Sequence, residues 1–101
     1  MSFSFEILDS DKSILLIAFE GKLDGLNLAN EDARFFALLS NLKTSVVLDF
    51  TKVTFMSSLG IRMLIIASKD LKRQGLTLKI DKPSAEVREV FYMTGLSELL
   101  M

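Results

Sequence analysis

Residues 46–74 of the chain read VVLDFTKVTFMSSLGIRMLIIASKDLKRQ, and this stretch decides the fold. It opens with an apolar run, Val46 to Leu48, which is typical of a strand covered on both faces, as in a parallel sheet. After Met56 the apolar residues recur at spacings of three and four, which predicts a helix. The sequence therefore predicts a buried strand that delivers the chain directly to the start of a helix.

Two serines stand at this predicted junction. Ser57 is the natural N-cap, because its side chain can satisfy one of the free backbone N–H groups of the first helical turn. Ser58 then lies in the first turn, where a phosphate on its hydroxyl would meet unpaired N–H groups at the positive end of the helix dipole. Phosphorylation would leave the fold intact and add about 1.5 to 2 negative charges to the surface. Most serines at helix starts are only caps, so spacing alone leaves both interpretations open.

The remaining residues predict a single domain, residues 1–101, in which strands and helices alternate. The flanking strands are predicted at residues 3–7, 14–19 and 76–80, and the flanking helices at 28–42 and 84–94. Gly21 is predicted to end the second strand, and residues 96–100 to pack back as a short apolar turn. The expected fold class is α/β, with a mixed β-sheet of four to five strands, three to four α-helices and the order ββαβαβα(α).

Composition removes several classes of function. The chain has no cysteine and no histidine, which excludes disulfides, Ser-His triads and nearly every zinc or haem site. We therefore predict no catalytic residues, no metal, no cofactor and no enzyme activity. Twelve basic and thirteen acidic residues give a net charge of −1 without a block of one sign, so nucleic acid is not an expected partner. No basic leader or span-length apolar run is present, which predicts a cytoplasmic protein without membrane insertion.

Two acidic residues near the junction are candidate site residues. Asp24 lies in the loop before the first helix, and we expect it on the same side of the sheet as Ser58, because both loops leave the carboxyl ends of parallel strands. It either positions a basic group of a partner or is a turn residue, and the second interpretation is slightly favoured. Asp49 is predicted to end the central strand, hydrogen-bond loop amides and hold the Ser57–Ser58 turn rigid.

Two residues of the predicted helix complete the set of candidates. Arg62 lies four residues beyond Ser58 and either pairs with a phosphate there or is a solvated charge, with the two alternatives about even. Gly60 permits close approach of a partner or of a neighbouring strand, at a helix position where glycine otherwise costs about 1 kcal/mol.

The residues from Val47 to Phe50 and from Val53 to Arg62 resemble the signature of STAS domains, the family of bacterial anti-sigma-factor antagonists. The likeness continues in order along the chain, through Gly21–Asp24, Gly75–Leu78 and Thr94–Leu100. The resemblance therefore covers nearly the whole sequence.

This resemblance implies a phosphorylation-switched protein-interaction domain that acts in signal transduction and transcription regulation. In the family, an anti-sigma factor with serine-kinase activity phosphorylates the residue at the position of Ser58, and a PP2C-type phosphatase removes the phosphate. The unmodified protein binds the anti-sigma factor and so releases the sigma factor. Two positions depart from the common pattern, because Ser57 replaces an aspartate and Leu59 replaces a small residue. The partner-binding residues implied by the resemblance are Asp24, Ser57, Ser58, Leu59, Gly60 and Arg62.

Two other functions stay open at the level of sequence. STAS-like domains also serve as accessory subunits of membrane transport assemblies, including lipid export systems, in which the same helix docks on an ATPase. A module that binds a small ligand or nucleotide at helix N-termini is the third alternative, and no glycine-rich phosphate loop supports it. The sequence leaves the oligomeric state open, including a weak homodimer.

Overall fold

A computed structural model of the protein describes residues 4–10, 14–23, 32–40 and 44–101. Within these ranges the chain forms four strands, three α-helices and a short 3-10 helix. In chain order they are β1 (Ser4–Ser10), β2 (Ile14–Leu23), α1 (Asp32–Ser40), β3 (Ser45–Met56), α2 (Ser58–Arg73), β4 (Leu78–Asp81), α3 (Ala85–Met93) and the 3-10 helix (Ser97–Leu99).

The strands lie in one sheet in the order β1-β2-β3-β4. β2, β3 and β4 run parallel, and β1 pairs antiparallel with β2 at one edge. The α/β class and the three helices agree with the sequence prediction. Of the predicted four to five strands, the described residues form four, and three of these are parallel. In the described ranges the C-terminal residues add no fifth strand, because Leu100 makes only a single bridge to Ile80.

The core occupies one face of the sheet. Residues of β2 and β3 alternate between buried and more exposed positions, as Val46 and Leu48 are buried while Val47 between them is half-buried. The buried strand residues form one cluster with Phe35 of α1, Leu64 of α2 and further residues of α3. The prediction that the central strand is covered on both faces is therefore wrong, because the described helices pack against the same face.

Two element boundaries differ from the sequence prediction. Gly21 does not end β2, which continues to Leu23. The backbone of Gly21 adopts φ +100, a conformation that glycine tolerates, and this accommodates the register shift next to it within the strand. Asp49 does not end β3, which continues to Met56. The start of the first helix, predicted at residue 28, lies outside the described residues. Ser84 does cap α3, since its side chain accepts a hydrogen bond from the Val87 N–H at 3.2 Å.

β3 carries two register shifts relative to β2. One lies between the pair Ala18–Asp49 and the pair Glu20–Lys52, and the second immediately follows Gly21. At the first shift the Asp49 carboxylate accepts hydrogen bonds from both the backbone N–H and the hydroxyl of Thr51. Each shift inserts one extra residue into β3, and such bulges bend a strand and increase its twist. The bulges therefore set the direction in which β3 enters α2.

Candidate functional site

The junction between β3 and α2 is built around the hydroxyl of Ser57. The residue has extended backbone angles, φ −94 and ψ 173, and its side-chain oxygen accepts a hydrogen bond from the Gly60 N–H at 3.3 Å. The helix begins at the next residue, Ser58. The predicted N-cap and the predicted place of Ser58 in the first turn are both confirmed.

The carbonyl oxygen of Leu23 ties this junction to the end of β2. It accepts two hydrogen bonds from Ser57, one from the backbone N–H and one from the hydroxyl, both at 2.9 Å. Leu23 is the last residue of β2, so the tie joins two places that are 34 residues apart in sequence. Side-chain patterns could not identify this group, because every residue carries the same carbonyl.

Asp49 takes no part in the tie. Its carboxylate is bonded to Thr51 within β3, so the prediction that it holds the Ser57–Ser58 turn is wrong. The hydrogen bond from the Thr51 hydroxyl is the main cause that lowers the pKa of Asp49, with smaller contributions from the Thr51 N–H and from Lys82 and Lys52, while burial opposes them. Asp49 acts on the site indirectly, through the bulge that it stabilises.

Ser58 is exposed at the first position of α2. Within the described part of the chain, its hydroxyl has no hydrogen-bond partner and the backbone N–H groups of Ser58 and Leu59 have no acceptor. The first turn of α2 also contains no acidic residue. Among the described residues, an unpaired hydroxyl therefore stands beside unpaired N–H donors at the positive end of a helix, an arrangement that favours an added anionic group.

Gly60 is buried against the end of β2 and the last residue of β3. A Cβ atom at this position would lie 2.7 Å from the carbonyl oxygen of Leu23 and 2.7 Å from the sulfur of Met56. Of the two alternatives predicted for Gly60, the structure shows the close approach of a neighbouring strand. Gly60 therefore lies against its own chain, whereas Ser58 faces outward.

Exposed apolar side chains lie on the two elements that meet at Ser58, namely β3 and α2. Leu59 is 51% exposed, Phe55 is 48% exposed, and Ile66, two helical turns beyond Leu59, is 40% exposed. Arg62 is also exposed and forms no ion pair within the described ranges. Sequence patterns did not single out Phe55, because strict alternation along β3 cannot foresee where a bulge turns a side chain outward. Asp24 lies outside the described residues.

The described ranges hold no cluster of three or more acidic side chains suited to a metal ion. Within the same residues, no helix is long and apolar enough to cross a membrane.

Comparisons with known proteins agree with this architecture. The STAS domain model matches residues 7–100. BtrV of Bordetella bronchiseptica, named as an anti-sigma factor antagonist, is 26% identical over 88 residues, which covers 87% of this chain and 76% of BtrV.

Two solved structures have the same fold. The anti-sigma factor antagonist SpoIIAA in its unphosphorylated form aligns with a TM-score of 0.82 at 21% identity, over 97% of this chain and 86% of SpoIIAA. Phosphorylated SpoIIAA, a cell fate determinant of Bacillus, aligns with a TM-score of 0.75 at 20% identity, over 97% of this chain and 89% of that one. Because the family model spans nearly the whole sequence and the fold is shared, the chain belongs to the STAS domain family.

Proposed function

We propose that this protein is an anti-sigma-factor antagonist whose binding is switched by phosphorylation of Ser58. The observation that carries the proposal is the exposed Ser58 hydroxyl, which has no partner in the described residues and stands beside free backbone N–H groups. Family membership supports it, as do BtrV, which bears the name of an anti-sigma factor antagonist, and SpoIIAA, which has been solved with and without phosphate.

In the proposed complex, the surface around Ser58 docks on an anti-sigma factor that is also a serine kinase. The exposed apolar side chains Phe55, Leu59 and Ile66 supply the area that docking removes from water. Arg62, which is exposed on α2, supplies a charged contact. Asp24 is a further partner-binding residue that the family resemblance implies. The released sigma factor is the functional output, so the protein acts by binding and not as an enzyme.

The modification itself is a phosphoryl transfer from ATP bound to the kinase. A bond forms between Ser58 Oγ and the γ-phosphorus as the bond between that phosphorus and the β–γ bridging oxygen breaks. ADP leaves, and the hydroxyl proton passes to a base of the kinase. A PP2C-type phosphatase in the cytoplasm resets the switch by hydrolysing the new ester.

The phosphate affects the complex far more than the fold. Within the free protein, the N–H groups at the start of α2 stabilise the added charge. In the complex, the same charge lies among Phe55, Leu59 and the covering partner, where desolvation and like-charge repulsion cost several kcal/mol. Phosphorylation should therefore release the partner while the domain stays folded.

The first prediction tests this switch with substitutions at Ser58. The partner is isolated on immobilised wild-type protein, identified by mass spectrometry and purified for binding measurements. Ser58→Asp should weaken its binding by about 100-fold or more, about 2.7 kcal/mol, because a fixed negative charge enters the interface. Ser58→Ala should bind like the wild type and show no mass gain after incubation with the kinase and ATP.

Ser97→Asp is the matched control, since Ser97 is also an exposed first residue of a helical segment. Its binding should stay within about threefold of the wild type. The proposal fails if Ser58→Asp binds as tightly as the wild type, or if the kinase with ATP produces no mass gain at Ser58. Isolation of a membrane transport ATPase in place of a kinase would also contradict it.

A further inference from the structure

We propose that Ser57 is a positioning residue whose hydroxyl ties the start of α2 to the end of β2, so that Ser58 alone of the two adjacent serines accepts phosphate. The inference rests on the proposed function of Ser58 and explains how the acceptor is selected.

The hydroxyl of Ser57 is fully engaged. Its one proton is donated to the Leu23 carbonyl oxygen at 2.9 Å, and its oxygen accepts from the Gly60 N–H at 3.3 Å. The residue is half-buried, whereas the adjacent Ser58 is exposed. A kinase therefore meets one serine whose hydroxyl is bound inside the protein and one whose hydroxyl is free.

Phosphorylation of Ser57 would break the hydrogen bond from its hydroxyl to the Leu23 carbonyl oxygen. The ester replaces the O–H bond with an O–P bond, so the donor to Leu23 is lost. Anionic oxygens would then face the carbonyl oxygen that the proton had bridged, which is a repulsive contact. The same ester on Ser58 breaks no hydrogen bond of the described structure, so modification is directed to Ser58.

Gly60 shows that the junction is held tightly from the other side as well. The space that its Cβ would need is already occupied by the Leu23 carbonyl oxygen and the Met56 sulfur, each 2.7 Å away. The first turn of α2 therefore cannot move closer to β2, and the hydrogen bonds of Ser57 prevent it from moving away. Together these contacts fix where Ser58 presents its hydroxyl.

Ser84 provides a matched comparison in the same chain. It is the N-cap of α3 and accepts from the Val87 N–H at 3.2 Å, much as Ser57 accepts from the Gly60 N–H. In the described residues, however, the Ser84 hydroxyl donates to no strand carbonyl, so it caps a helix without tying it to the sheet. Ser84→Ala therefore removes a cap bond without affecting the position of Ser58.

The second prediction is tested first without any kinase, on proteins carrying genetically encoded phosphoserine at position 57 or at position 58. Amide hydrogen exchange, followed by NMR, reports whether the N–H of residue 57 is still bonded to the Leu23 carbonyl oxygen. Phosphoserine at 58 should leave the exchange rate of this N–H within about threefold of the wild type, and phosphoserine at 57 should raise the rate by about tenfold or more. Equal protection of the residue-57 N–H in the two proteins would overturn the proposal.

Kinase kinetics then separate positioning from mere stability. Ser57→Ala should lower kcat for phosphorylation of Ser58 by about tenfold to 100-fold with KM within about twofold, because a displaced acceptor loses alignment with ATP. Ser57→Thr, which keeps a hydroxyl, should restore most of the rate. Ser84→Ala should lower the melting temperature comparably and leave kcat unchanged.

A wild-type kcat in Ser57→Ala, or phosphate found on Ser57, would contradict positioning by this residue. If the wild type is not phosphorylated at all, the proposed function is wrong. The hydrogen-exchange measurement needs no kinase, so it tests the hydrogen bond between Ser57 and Leu23 independently of that function.

Discussion

At the residue scale, the site is tightly packed around Gly60, where the neighbouring atoms leave no space for a side chain. The third prediction is that Gly60→Ala destabilises the protein by about 1–3 kcal/mol, because the added Cβ would lie 2.7 Å from the Leu23 carbonyl oxygen. The intrinsic gain of about 1 kcal/mol from alanine in a helix offsets only part of this cost. The free energy of unfolding in urea measures the net effect.

Lys69→Ala is the control for this substitution, since Lys69 is exposed on the same helix. It should change the free energy of unfolding by no more than about 0.5 kcal/mol. A Gly60→Ala protein that is more stable than the wild type would show that the end of β2 moves aside without cost.

At the element scale, β3 is shaped by its bulges. Its second half does not alternate, because Phe50, Val53 and Met56 are buried while the residues between them are exposed. A spacing of three results when extra residues enter one strand of a pair. The first extra residue is stabilised by the bonds between Asp49 and Thr51, so this pair influences the path of β3 toward the site.

The fourth prediction concerns the pH dependence that Asp49 adds to stability. Its pKa in the folded protein lies below the ordinary value of an aspartate, chiefly because of the hydrogen bond from the Thr51 hydroxyl, so the unfolded chain binds the proton more readily. The stabilisation by the Asp49 carboxylate is therefore fully present at pH values above its pKa in the unfolded chain. It is lost as the pH falls through its pKa in the folded protein. Urea unfolding at a series of pH values should show the wild type more stable than Asp49→Asn at pH 7, with the difference shrinking below about pH 4.

Thr51→Val removes the hydroxyl that lowers the pKa of Asp49 and serves as the matched variant. The double variant with Asp49→Asn should lose less stability than the sum of the two single variants, because Asp49→Asn weakens the same hydrogen bond that Thr51→Val removes. If the difference in the free energy of unfolding between the wild type and Asp49→Asn is the same at every pH, the lowered pKa of Asp49 does not contribute to stability.

At the scale of the whole molecule, four buried aromatic rings join the sheet to its helices. Phe19 and Phe50 stack with ring centroids 5.5 Å apart, Phe35 of α1 meets the edge of Phe19 at 5.2 Å, and Phe91 of α3 lies 6.3 Å from Phe50. These contacts connect β2, β3, α1 and α3. The rings therefore hold the two strands that lead to the site against α1 and α3.

The fifth prediction is that Phe50→Ala lowers the free energy of unfolding by about 3–5 kcal/mol, since it leaves a cavity between two other rings. Calorimetry or urea unfolding measures the loss. Tyr92→Ala, at a position that is 57% exposed on α3, is the control and should stay within about 0.5 kcal/mol. Comparable losses in the two variants would mean that the ring cluster does not dominate the core.

Features that depend on neighbouring residues follow from the sequence alone. The order of strands and helices follows from apolar spacing, and the N-caps Ser57 and Ser84 follow from the preference of serine for free first-turn N–H groups. Gly75 and Gly95, which adopt φ +77 and φ +75 beyond the ends of their helices, likewise follow from local conformational freedom. The place of Ser58 in the first turn of α2 belongs to the same group, because the helix boundary fixes it.

Only the tertiary structure decided the features that join distant parts of the chain. The Leu23 carbonyl tie, the bulge at Asp49 and the outward position of Phe55 all depend on how β2 and β3 pair. Among the described residues, the burial of a single sheet face depends likewise on where α1, α2 and α3 pack. Sequence patterns report the preferences of nearby residues, whereas strand register is set by the combined packing of residues some thirty positions apart, as between Ala18 and Asp49.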